Sequence, residues 1–139
     1  MQRAYRSADT AITRELRRKG FDVRASHSAV LAHIDIATGT RATVLAERAG
    51  VSKQAIGEVV DDLVSRGYVR RAPDPADARA KLVQLTRRGQ KLIDAAYEVI
   101  AGIEDALVAA AGPRSVAATR KTLAALIDVC AEGGTSHGP

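Results

Sequence analysis

Ser52, Lys53 and Gln54 stand at the head of an apolar-periodic run, and Arg79 and Lys81 follow further along the chain. These side chains offer hydrogen bonds and charge rather than covalent chemistry. Gln54 carries a planar amide that donates and accepts at once, which suits bidentate pairing with adenine N6/N7. Lys53 can reach guanine O6/N7 or a phosphate oxygen. Ser52, with the exposed N–H groups of a helix start, suits a phosphate. Gly57 on the same run either lets a helix sit close to a groove or is tolerated on an exposed face. Lys81, Arg70, Arg71 and Arg41 are further candidates for phosphate contact, although each alone also fits a solvated surface charge.

Covalent or metal chemistry has no comparable support. The chain lacks G-x-S-x-G, a P-loop, G-x-G-x-x-G and H-E-x-x-H. Nothing gathers nucleophile, base and oxyanion donors, so no enzyme and no cofactor is expected. His27 and His33 are six apart and fall on different helix faces, a poor metal pair; polar or pocket-lining roles remain open to them. Tyr97 and Arg24 are further residues that a pocket could use. Cys130 continues an apolar stripe, as a small buried residue would, and a redox role is the other reading. A single cysteine excludes an internal disulfide and fits a reducing cytosol.

The elements that must position these groups can be read from spacing. Residues 4–19 read as a helix with Tyr5, Ala8, Ile12 and Leu16 on one stripe, stopped by Gly20. Residues 26–35 read as a second helix, with Ala29, Val30 and Ile34 apolar and Ile36 just beyond it, and Arg41-Ala42 as a very short strand. Thr43 to Ala49 predicts a short helix ended by Gly50, which takes the left-handed C′ conformation without steric cost. Ser52 is then a good N-cap. Its helix, 52–66, buries Ile56, Val59, Val60 and Leu63, with Ala55 beginning the apolar side. Two helices joined by a short Gly-containing turn form a helix-turn-helix. Asp62 and Arg66 are placed for an i,i+4 pair, whereas Asp61 has no evident role.

Tyr68–Arg71 and Leu82–Leu85 are strand-like. Pro73, Asp74, Pro75 and Asp77 between them carry turn chemistry, which predicts a hairpin, or wing, with Tyr68 packed beneath it. A long helix over 87–111 carries Leu92, Ala96, Ile100, Ile103 and Leu107. Gly112-Pro113 breaks it, and a last helix covers 114–131. Residues 134–139, which include His137, read as a disordered tail. A helix of about 25 residues is ~37 Å long. The small winged core cannot cover such a seam, so a second copy related by a two-fold axis is expected to do so.

Charge agrees with this division. Net charge is +5 over 139 residues, and 41–91 alone holds eleven Lys/Arg against six Asp/Glu, so the remainder is neutral. The excess lies wholly on the helix-turn-helix, the wing and the turn after it, the footprint of a phosphate-binding surface. Aromatics are only 3% of the chain, too few for the stacking platforms of single-strand and RNA binders. No apolar run approaches the ~20 residues of a membrane span. The first twenty residues carry basic side chains but no apolar h-region, so they do not read as a signal peptide.

The chain resembles the MarR family of winged-helix transcription regulators. The likeness rests on Leu45-Ala46-Glu47-Arg48, Gly50-Val51-Ser52-Lys53-Gln54, Val60-Asp61-Asp62-Leu63 and Arg66-Gly67-Tyr68-Val69. It continues through Asp74-Pro75-Ala76-Asp77-Ala78-Arg79-Ala80-Lys81 to Leu85-Thr86-Arg87-Arg88-Gly89, in matching order over 26–95. The resemblance implies one mainly α domain over 1–139: a winged helix-turn-helix at 26–86, with dimerisation helices at 1–22 and 87–133. It implies a cytoplasmic homodimer on a pseudo-palindromic duplex, with the recognition helix in the major groove and wing residues 73–81 in the minor groove. The family's wing arginine matches Arg79, which the nearby aspartate helps to hold; an Asp–Arg pair that only closes the hairpin is the other reading. Such regulators are often repressors released by a small aromatic or phenolic effector. Peroxide-sensing members carry cysteine near the first helix, where this chain has none. A winged-helix module for protein or RNA contact is the alternative function.

Overall fold

A computed structural model describes residues 2–133. The chain divides into two compact units, Met1–Val99 and Ile100–Pro139.

The first unit opens with helix α1 (Gln2–Arg18), which buries Leu16. A 3-10 turn (Ala25–His27) and the short α2 (Ser28–Leu31) follow where spacing predicts one helix over 26–35. The amides of His33 and Ile34 both donate to the Val30 carbonyl, so the helix closes there. The Asp35 carboxylate accepts from the Ala37 and Thr38 amides. Aspartate offering the backbone that alternative competes with helix continuation. These bonds also hold the Asp35 carboxyl below its ordinary pKa, the Thr38 amide contributing most.

Strand β1 (Thr40–Arg41) lies one residue earlier than expected, because Ala42 already belongs to α3 (Ala42–Ala49). Gly50 ends α3 with φ +65°, and the Val51 amide returns to the Ala46 carbonyl. Helix α4 (Lys53–Ser65) begins at once, with Ser52 Oγ accepting from the Ala55 amide at 3.1 Å. Ile56, Val60 and Leu63 are fully buried, Val59 is half-buried, and Ala55 is exposed rather than apolar lining.

The wing consists of β2 (Val69–Asp74) and β3 (Asp77–Leu85) in a three-stranded antiparallel sheet of order β1-β3-β2. It is longer than the two runs read from sequence, and Pro73 lies within β2 rather than in the turn. The polar stem has no apolar alternation to mark it; cross-strand pairing extends the ladder to Pro73↔Lys81. Proline is tolerated there because β2 is an edge strand.

Thr86 and Gly89 secure the foot of the wing. Thr86 Oγ1 donates to the Gly67 carbonyl at 2.6 Å and accepts from the Gly89 amide at 3.0 Å, which caps α5 (Arg87–Ala111). A Cβ on Gly89 would collide with the Tyr68 carbonyl oxygen. Tyr68 is fully buried; its hydroxyl accepts from the Asp22 amide at 2.8 Å, and the Arg88 guanidinium lies over its ring. One apolar core joins Leu16, Val23, Val30, Leu45, Ile56, Val60, Leu63, Tyr68, Val83 and Leu92.

The second unit contains the end of α5 and helix α6 (Pro113–Gly133). Proline fits the first helical position, where its missing N–H is not needed. Arg120 pairs with Glu104 at 2.9 Å. Among the described residues this unit buries no side chain, and Leu107, Leu123, Leu126 and Ile127 are exposed. The Cys130 side chain, His137 and the tail 134–139 lie outside the described residues. No helix among those described is long and apolar enough to cross a membrane.

Candidate nucleic-acid interface

Because Ile56, Val60 and Leu63 turn one side of α4 into the core, its leading turn is turned outward. Ser52, Lys53, Gln54 and Glu58 are exposed. Ser52 has its hydroxyl oxygen on the Ala55 amide. Gln54 Nε2 donates to Glu58 Oε1 at 3.4 Å. Lys53 has no carboxylate partner among the described residues. Gly57 has nothing within 4 Å of where a Cβ would stand, so no protein packing requires a glycine there.

The acids further along α4 are drawn away from that surface by partners distant in sequence. Asp61, without a role in the sequence, pairs with Arg71 at 2.7 Å and ties the helix to the wing stem. Arg71 is thereby partnered, unlike exposed Arg70. Asp62 makes the expected pair with Arg66, at 3.0 Å, but its nearest partner is His27 Nε2 at 2.8 Å. Arg24 lies 3.6 Å from the same carboxylate, and Arg66 also pairs with Asp22. The His27 bond, then that of Arg66, holds the Asp62 carboxyl below its ordinary pKa. Asp62 in turn raises that of Arg66.

His27 is 1% exposed, and the Arg24 amide donates to its Nδ1 at 3.1 Å. An acceptor at Nδ1 puts the ring proton on Nε2, facing Asp62. Both nitrogens are engaged within the protein, so His27 fastens the 3-10 turn to α4 rather than lining a pocket. His33 is half-buried, and its carbonyl accepts from Arg48. The described residues contain no group of three side chains suited to a metal. An open cleft of about 620 Å³ instead lies along α1, lined by Thr10, Thr13, Arg14, Arg17, Arg18 and Ala25. Neither histidine reaches it. Tyr97 is exposed and does not line it either.

At the wing tip two aspartates order the backbone. Asp74 is buried; its Oδ1 accepts from the Ala76 amide at 2.8 Å and its Oδ2 from Arg41 Nε at 2.6 Å. Those two bonds, the backbone one foremost, lower the Asp74 pKa. Arg41, a candidate phosphate contact by sequence, is therefore partnered and pins β1 to the wing, with Asp77 3.8 Å away. Asp77 Oδ1 accepts from the Arg79 amide at 3.0 Å. The aspartate thus holds the Arg79 backbone, and no Asp–Arg ion pair closes the hairpin through this side chain. Register passes from Pro73↔Lys81 directly to Asp74↔Asp77. Ala78, Arg79 and Ala80 are left opposite no residue, with Arg79 at their centre. Such an irregularity re-aims side chains. Arg79 and Lys81 are exposed, without an ion pair among the described residues.

Sequence reading missed Asp74 as an anchor and the Asp61–Arg71 and His27–Asp62 links. Each joins residues ten or more apart in the chain, and no periodic pattern records such pairs.

Known proteins resemble the chain in the same region. A family model described as the MarR family matches residues 21–80. The transcriptional regulator HosA of Escherichia coli O111:H- is 35% identical over 78 residues, 56% of this chain and 58% of that protein. The match therefore spans little more than half the length of these curated relatives. CouR from Rhodococcus jostii RHA1, solved bound to p-coumaroyl-CoA, is 27% identical with a TM-score of 0.70, over 90% of this chain and 87% of that one. A MarR transcriptional regulator from Methanosarcina mazei Go1 shares the fold, at 20% identity and a TM-score of 0.79 over 92% of this chain and 91% of that one. Over residues 21–80, which hold the helix-turn-helix and most of the wing, the chain is thus similar in sequence to the MarR family, and its fold is that of the winged helix-turn-helix regulators solved from that family.

Proposed function

We propose that this protein is a cytoplasmic homodimer that binds a pseudo-palindromic DNA duplex and represses transcription by occluding a promoter. Residues 52–66 carry the recognition helix into the major groove, with Gln54 and Lys53 on base edges and Ser52 on a phosphate. The wing, 73–81, lies in the minor groove with Arg79 inserted, where arginine favours a narrow, A·T-rich groove. Lys81 meets the phosphate backbone. Arg41 acts there indirectly, by holding the wing. One observation carries this reading: Lys53, Arg70, Arg79 and Lys81 are exposed without a carboxylate among the described residues, whereas Asp61, Asp62 and Asp74 each have a cation.

The uncovered Leu107, Leu123, Leu126 and Ile127 support a second copy as partner for the 87–133 helices. Two recognition helices then read half-sites about 34–36 Å apart. An effector that prefers a different spacing releases the duplex by population shift. The arginine-lined cleft along α1 supports a small acidic effector, of the aromatic acid or phenol class.

The test is selection of bound duplexes from a random pool, followed by titration over a salt series. With Arg70 and Lys81 on the phosphate backbone, two cations per subunit or four per dimer, the slope of log K against log salt should be roughly −4 at about −0.9 per phosphate. Binding that ignores sequence, a slope shallower than about −2, or a monomer in sedimentation would overturn the proposal.

A further inference from the structure

Glu58 is the one acid of α4 with no cation within 4.0 Å among the described residues; its contact there is Gln54. It stands one helical turn after Gln54 and is exposed. A carboxylate only accepts hydrogen bonds. The Gln54 amide must therefore turn its NH2 end toward Glu58, which settles an orientation that would otherwise be free. One Nε2 hydrogen and the Oε1 oxygen of Gln54 remain, and these are the two atoms needed for adenine N7 and N6.

We propose that Glu58 is a specificity-determining residue, which makes the leading turn of α4 select an amino base, adenine or cytosine, on the strand it reads. This rests on the duplex-binding reading above. The physical ground is the donor pattern of the major groove. Its hydrogen-bond donors are adenine N6 and cytosine N4, whereas guanine O6 and thymine O4 are acceptors. A desolvated carboxylate against a keto oxygen leaves both unpaired, which is rejection by repulsion rather than by lost attraction. Phosphates repel the same carboxylate, so only a pose with Glu58 over base edges is favourable. Asp61 and Asp62, each neutralised by arginine, carry no such restriction.

The experiment compares wild type, Glu58→Gln and Glu58→Ala by duplex selection, then by titration on the selected operator and its single-base variants. Wild type is expected to demand adenine or cytosine at one position in each half-site, losing about tenfold or more in affinity for guanine or thymine there. Both variants should bring that ratio within about threefold and bind random duplex more tightly, with melting temperatures unchanged because the side chain is exposed. If wild type selects an operator and its base preferences survive both substitutions, or all sequences change alike, this inference is overturned while the duplex-binding reading stands. If wild type binds every duplex equally, both fall.

Discussion

Gly57 separates a functional glycine from a tolerated one. It sits inside α4 with ordinary negative φ, and no atom lies within 4 Å of the place a methyl group would take there. Alanine should therefore meet no steric cost in the free protein. Glycine in a helix interior is about 0.8–1 kcal/mol less favourable than alanine, in part because it leaves the unfolded chain more freedom. Gly57→Ala should then stabilise the fold by roughly 0.5–1 kcal/mol, or about 2–4 °C in Tm for a domain of this size. Melts followed by circular dichroism at fixed protein concentration would read this, since the dimer proposed above would make Tm concentration-dependent. If the helix backbone approaches the groove, the added methyl stands where the duplex should be, and affinity should fall roughly tenfold, about 1.4 kcal/mol. Fluorescence anisotropy on the selected operator at constant salt measures it. A stabilised protein with unchanged affinity would refute close approach, leaving Gly57 as mere tolerance. A destabilised one would refute the packing argument itself.

Arg79→Ala should weaken operator binding at least tenfold with Tm unchanged, whereas Lys81→Ala should weaken all sequences alike and flatten the salt slope by about one unit per subunit. Arg41→Ala should do neither directly: it leaves buried Asp74 without its cation, so it should lower Tm and increase hydrogen exchange in the wing. Gly89→Ala forces a methyl into the Tyr68 carbonyl and should cost about 1–3 kcal/mol in a urea titration. Acid should unfold the protein through Asp62 and Asp74, whose native pKa values are depressed. The unfolded carboxyls take up protons first, near pH 4. Their contribution is thus complete above that pH and is lost as pH falls through the lower native values. Melts between pH 3 and 6 should show a shallower acid loss for Asp62→Asn than for wild type.

Much of the fold was legible because its signals are local. Gly50, Ser52 and the 56–60–63 spacing define the helix-turn-helix without reference to any other part of the chain. Gly112-Pro113 likewise marks the break between the last two helices. Where a local signal was overruled, a competing hydrogen-bond partner did it. Asp35 diverted the second helix into turns, and the ladder with β3 drew Pro73 into a strand.

The candidate site divides along the same line. Residue types at the start of α4 and at the wing follow from sequence, because chemistry belongs to the side chain and exposure follows from helical period. Which charges stay free does not follow. Arg41, Arg71 and Arg79 look alike as letters, yet the first two are held by Asp74 and Asp61 and the third has no carboxylate among the described residues. An ion pair depends on distance across the fold, and only the folded chain brings residues 41 and 74, or 61 and 71, to within hydrogen-bonding reach.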